Sequence, residues 1–169
     1  MNDFDTYTAS YERHRQATSR ANTLNKAIVL DALAAANITE VTVTFDGEGD
    51  SGQIDSITAC LGETPKALPA PTEDVPSLPV TSPAAPVPLP ATPVTLHQAQ
   101  WHSDELGVHD TTLQDAIETL CYDYLAQEQG GWENNEGAYG AFRFDVAART
   151  IQLDFHARII DAVHSYHEF

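Results

Sequence analysis

The chain has 169 residues, 42% of them hydrophobic, with 25 acidic against 8 basic side chains and a formal net charge of −17. That length supports one domain with a real core, or two very small ones. The charge argues against direct binding of nucleic acid or anionic membranes, because both require Lys and Arg to neutralise phosphates, and it favours basic protein surfaces or cations as partners. No run approaches the roughly 18–20 apolar residues of a membrane helix. The start, "MNDFDTYTAS", has neither a basic opening nor an apolar stretch, so the sequence reads as cytoplasmic. Cys60 and Cys121 stand far apart among apolar or aromatic neighbours, outside any CxxC pair, and read as buried reduced thiols.

From Tyr7 to Asn37 there is no Pro or Gly, and Leu24, Ile28, Leu30, Leu33 and Ala34 fall at rough helical spacing. The spacing predicts a long helix with a polar, solvated front half that carries Arg13, Arg15 and Arg20. "ITEVTVTFDG" then alternates Val41, Val43 and Phe45 with Thr42, Thr44 and Asp46, the pattern of a half-buried strand. "EGDSG" reads as a turn and "QIDSITACLG" as the second strand of a hairpin.

All ten prolines lie between Pro65 and Pro93. Proline fixes φ and removes a donor, so residues 63–97 read as an extended linker that builds neither helix nor central strand.

The second half repeats the order of the first. In "DTTLQDAIETLCYDYLAQEQGG" the stretch Asp110 to Thr112 offers an N-cap, and Asp115 follows Thr112 by three residues in a near capping box. Leu113, Ala116, Ile117, Leu120, Cys121, Tyr124 and Leu125 form one stripe, with Tyr122 and Asp123 facing solvent and Gly130 as C-cap. "AFRFDV" and "IQLDFH" alternate as strands around the turn "AART". The expectation is an α+β fold with helix-strand-strand twice, one four-stranded antiparallel sheet and both helices on one face. Residues 1–62 and 98–169 would form that single domain around the linker, since neither hairpin is stable alone.

Two loops stand out, "FDGEGDSGQID" from Phe45 to Asp55 and "GGWENNEGAYG" from Gly130 to Gly140. With their flanks, over roughly residues 38–61 and 110–158, they resemble a family of small bacterial and phage proteins catalogued only as a domain of unknown function. The resemblance implies the domain boundaries and marks the two loops; it carries no activity. As a structural unit, the second loop ends a helix with Gly130 and Gly131, turns at Asn134 and Asn135, and enters a strand at Gly137 and Gly140, with Trp132 as a lid. As a binding unit, Trp132 and Tyr139 would be contact anchors, Glu133 and Glu136 would meet a basic group, and Asn134 and Asn135 would join them.

Asp46, Glu48 and Asp50 alternate as hard-cation ligands do, but an EF-hand counted from Asp46 needs Gly and Glu where Ser51 and Ile57 stand. Asp46, Glu48 and Asp50 would join the second loop in meeting a basic partner, and bound Ca²⁺ or Mg²⁺, shared with Glu133 or Glu136, is the other chemistry open to that loop. "GDSG" is similar to the nucleophile segment of trypsin-like proteases for four residues only, without a base, an acid or a disulfide framework, and reads as a turn. His164 and His167, and His102 with Asp104 and His109, have no supporting cluster and read as surface residues. No phosphate-binding glycine loop or HExxH is present. The sequence therefore reads as a non-enzymatic acidic protein that docks on a basic protein. In a narrower form it would be a nucleic-acid mimic or inhibitor from a phage or mobile element. The alternative is a small metal-dependent enzyme or a cation- or ligand-binding domain built on the acidic loops.

Overall fold

A computed structural model describes residues 3–62, 86–101 and 103–159. The elements in chain order are α1 (Asp3–Ala35), β1 (Ile38–Glu48), β2 (Ser51–Leu61), β3 (Pro86–Val87), β4 (Pro93–Ala99), β5 (Leu106–Thr112), α2 (Leu113–Glu128), β6 (Ala138–Asp145) and β7 (Thr150–Ala157). The fold is α+β with two helices. Five strands form an antiparallel sheet in the order β3-β2-β1-β6-β7, and β4 and β5 form a separate two-stranded ribbon.

This departs from the four-stranded expectation in the proline-rich segment, which supplies β3 and most of β4, and in the stretch before α2, where β5 was not expected. Residues 63–85 lie outside the described residues; from residue 86 the segment contributes strands. Proline is tolerated there because Pro93 opens β4 and Pro86 lies on the two-residue edge strand β3, the positions in a sheet that need no donor. The ribbon packs on α1, and buried Asn25 serves as a partner for the free side of β4. Its Nδ2 donates to the His97 carbonyl at 2.9 Å and its Oδ1 accepts from the His97 N–H at 2.8 Å. Both His97 backbone groups that face the helix are thus satisfied by one amide side chain.

The two chain halves join at β1 and β6, paired from Glu40–Asp145 to Gly47–Ala138. Strand periodicity puts Val41, Val43, Phe45, Phe142 and Phe144 on the face toward the helices. There they form one core with Val29, Leu30 and Leu33 of α1, Ile117, Leu120 and Leu125 of α2, and Val94 and Leu96 of β4. The stripe of α1 is rotated from the sequence reading. Asn22, Asn25, Val29 and Leu33 are buried, whereas Leu24 and Ala34 are exposed, because two asparagines occupy inward positions that hydrophobicity alone does not find. Asn37, at φ 57°, ends α1 in the left-handed region. Thr112 caps α2 as expected, its Oγ1 accepting from the Asp115 N–H at 3.1 Å. The C-cap is Gln129 rather than Gly130, and the left-handed turn falls on Gly131.

The other face of the sheet carries polar and small side chains. Row by row across β2, β1, β6 and β7 it presents Gln53, Asp46, Tyr139 and His156; then Ser56, Thr44, Ala141 and Asp154; then Thr58, Thr42, Arg143 and Gln152. No helix among the described residues is long and apolar enough to cross a membrane.

Candidate functional site

The two loops singled out by sequence meet at one end of the sheet. Gly49 (φ 61°) and Asp50 (φ 67°) form a two-residue turn between Glu48 and Ser51, with both residues left-handed as the twist of a tight hairpin demands. Ser51 Oγ donates to the Glu48 carbonyl at 3.3 Å, so the hydroxyl of "GDSG" serves the turn. The second loop is a chain of turns: Trp132 N donates to Gln129 O, Asn134 N to Gly131 O and Gly137 N to Asn134 O. Gly131, Asn135 and Gly137 all have positive φ.

The loops then lock through backbone. Gly49 N donates to Asn135 O at 2.9 Å, Asp50 N to Glu133 O at 3.1 Å, and Asn135 N to Asp50 Oδ1 at 3.4 Å. The hairpin tip spends its outward N–H groups on the helix-to-strand loop, so neither loop is a free flap. Gly137 lies so close to the Gly47 carbonyl that a Cβ has no room there, in addition to its left-handed φ of 69°.

Trp132 is the lid of the structural reading. Its half-buried indole meets Phe45 edge-on at 5.3 Å and 84°, and it lies across Gly47 and Gly52. A Cβ on Gly47 would come within 2.6 Å of the ring, and one on Gly52 would overlap it. These two glycines are the seat of the indole, a role that composition does not reveal. Tyr139 is on the opposite face, 45% exposed, stacked on His156 at 5.0 Å with the Arg158 guanidinium 5.0 Å from its ring centre.

The carboxylates divide into two sets. Asp46 is held by Arg158, whose Nη2 reaches both oxygens, at 2.8 and 2.9 Å. Glu48, Asp50, Glu133 and Glu136 form no ion pair among the described residues. Oε2 of Glu133 is buried without a hydrogen-bond partner. A shallow, open cleft of about 460 Å³ runs along the hairpin, lined in part by Asp46, Glu48, Gln53 and Asp55. Among the described residues no three His, Cys, Asp or Glu side chains are grouped to hold a metal ion, so the alternation of Asp46, Glu48 and Asp50 in sequence does not become a cluster in space.

The remaining candidates are dispersed. His14 stacks on Trp101 at 3.9 Å, His97 sits on β4, His109 is exposed, and His102, His164 and His167 lie outside the described residues. Cys60 is half-buried and Cys121 buried, both free, and burial followed by the charge of Glu118 pushes the Cys121 thiol up and away from reactivity.

Sequence reasoning missed a groove of about 300 Å³ between the helices, where Tyr11, His14, Arg15 and Thr18 face Asp123, Ala126 and Gln127. Asp123 is not the solvent-facing residue expected; it is half-buried there, and burial raises its pKa. The available signal was the spacing of Tyr11, Arg15, Thr18 and Asn22, which continues the buried stripe of α1 in polar residues.

A family model described as "Family of unknown function (DUF6878)" matches residues 21–82 and 73–169. No curated protein and no solved structure matches the chain.

Proposed function

Because the chain belongs to DUF6878, a family of unknown function, no activity is inherited from it, and we propose one from the surface itself: a non-enzymatic interaction protein whose loop end docks on a basic protein. The observation that carries this reading is the set Glu48, Asp50, Glu133 and Glu136, fixed on two loops that hold each other by backbone bonds and left without a countercharge among the described residues. Loops held this way lose little backbone freedom when a cationic surface arrives, which favours both affinity and register. Trp132 supports the contact from beneath by fixing the loop, and Asn134 and Asn135, both exposed, place their side-chain amides at its rim. Where the partner is a nucleic-acid-binding protein, the four acids stand in for phosphates; that is the mimic or inhibitor form suited to a phage or mobile element.

A titration of the labelled full chain with an Arg-rich peptide, followed by heteronuclear NMR, tests the reading. Amide shifts concentrated in residues 47–52 and 131–139, with affinity falling steeply as salt rises, are expected. Shifts scattered over the acids of both helices, or no shifts, would refute it. A cation-binding role rests on one observation, the orphaned Oε2 of Glu133, and is read by whether Ca²⁺ or Mg²⁺ raises Tm in the native chain but not in Glu133→Gln.

A further inference from the structure

The two edges of the main sheet are treated differently. On β2, the Ile54 N–H is capped by the Tyr122 hydroxyl at 2.9 Å, β3 pairs with Ala59 and Cys60, and the ladder to β1 shifts register between Thr44 and Phe45. These are the devices by which proteins blunt a sheet edge. β7 has none of them among the described residues. It is a regular eight-residue strand, paired to β6 without a register shift and unpartnered on its other side.

The direction of its free hydrogen-bonding groups follows from one bond. Arg158 N donates to Gly137 O across the β6 side. Alternation then turns the N–H and C=O groups of even-numbered residues toward β6, and those of Ile151, Leu153, Phe155 and Ala157 outward. The same odd-numbered residues lie on the helix-side face. Ile151 and Leu153 are only half-buried and, with Lys26, Tyr124, Glu128 and Phe142, line an open groove of about 270 Å³. Ile159, in phase with them, is 88% exposed, the most exposed large hydrophobic residue described.

We propose that two copies of this chain pair antiparallel through β7, about a two-fold axis at Phe155, into one continuous sheet. This register is selected by its cross-strand side-chain pairs. It sets Asp154, which also contacts His156 of its own strand at 3.2 Å, opposite the partner's His156, twice, and Gln152 opposite the partner's Arg158, whose guanidinium also holds Asp46 of its own chain. An axis at Asp154 would instead face two like charges. On the apolar side, Leu153 meets the partner's Ala157, and Ile151 meets the partner's Ile159, covering that side chain. The strong acidity of the molecule does not oppose the contact locally. Residues 141–159 hold Arg143, Arg149 and Arg158 against Asp145 and Asp154, and no other basic residue lies between 101 and 169. Such a pairing is isologous and closes as a two-fold dimer, the commonest homo-oligomer.

Residues 154 and 156 would form a non-hydrogen-bonded pair, where Cα atoms approach to about 4.5 Å, close enough for a disulfide. In full-length chain with Cys60→Ser, the variants Asp154→Cys and His156→Cys are oxidised separately and mixed. A covalent dimer in the mixture and in neither variant alone is expected, with the native chain sedimenting as a dimer. A charge series gives a second reading. His156→Glu weakens association roughly tenfold by creating two repulsive pairs, and Asp154→Arg in the same chain restores it. A native chain that remains monomeric up to about millimolar concentration overturns the proposal, as does a dimer that crosslinks in the single variants or is indifferent to the charge series.

Discussion

Arg158 fastens the end of the sheet to Asp46: Nη2 donates to both carboxylate oxygens and Nη1 to the neighbouring Gly47 carbonyl at 2.8 Å. The pair joins the strand that enters the first loop to the residue that follows β7. Both side chains are partly exposed, 30% and 47%, so the ion pair by itself is a modest contributor. Arg158→Ala is expected to cost about 1 kcal/mol, more than Asp46→Asn, because it also strips the Gly47 carbonyl of a donor. Denaturant unfolding of the two single variants and the double variant measures the coupling; equal losses for the singles would deny the carbonyl any share.

Trp132 and its two glycines give a sharper expectation. Gly52→Ala places a methyl inside the space of the indole, and the backbone at both positions is fixed by the β1–β2 ladder, so the ring must leave its seat. The cost is about 1–3 kcal/mol, the range for overpacking. In a Trp101→Phe background the remaining tryptophan should shift its emission to the red. A variant with native stability and native emission would show that the lid is not held by these glycines.

The elements were legible wherever a local period or a cap wrote them. The alternation from Val41 to Phe45, the alternation from Phe142 to Val146 and the Thr112–Asp115 cap are all readable in the sequence. The ribbon β4–β5 is not legible: proline at the start of β4 masks a strand although it bars only positions that must donate, and β5, "LGVHDTT", has no apolar alternation to mark it. The rotation of α1 was hidden because its inward positions include two asparagines, Asn22, whose buried amide has no hydrogen-bond partner, and Asn25, whose partner His97 is distant in sequence. At the candidate site, the loops could be named but their interlock could not. Backbone bonds such as Gly49 N to Asn135 O leave no trace in residue type, and the indole seat is written only as two glycines.

Asn25 illustrates the cost of such hidden partners. Replacing it with Ala leaves both His97 backbone groups facing α1 without a bond. A loss of about 2–3 kcal/mol is expected, larger than the usual effect of an Asn→Ala change at a helix surface. Hydrogen exchange at the His97 amide should accelerate even under conditions where the main sheet remains protected. Unchanged exchange there would mean that the ribbon edge finds another partner.

The helix groove supplies the pH prediction. Burial alone raises the Asp123 pKa above its ordinary value of 3.8. A carboxyl group whose folded pKa exceeds its unfolded one binds protons more tightly in the native state. Its contribution therefore favours the fold at low pH and is lost as pH rises from the unfolded value through the folded one; above both, the ionised group opposes folding. Asp123→Asn removes this opposition while keeping the shape of the side chain. At neutral pH the variant should melt slightly higher than the native chain, by a few degrees at most, since the group is only half-buried. As pH is lowered through the carboxylate range the difference should shrink and vanish. Thermal melts of both proteins from pH 3 to pH 7 decide the matter: a gap that is constant with pH would assign the gain to something other than the charge of Asp123, and a lower Tm for the variant at neutral pH would mean that the carboxylate has a favourable partner in the groove.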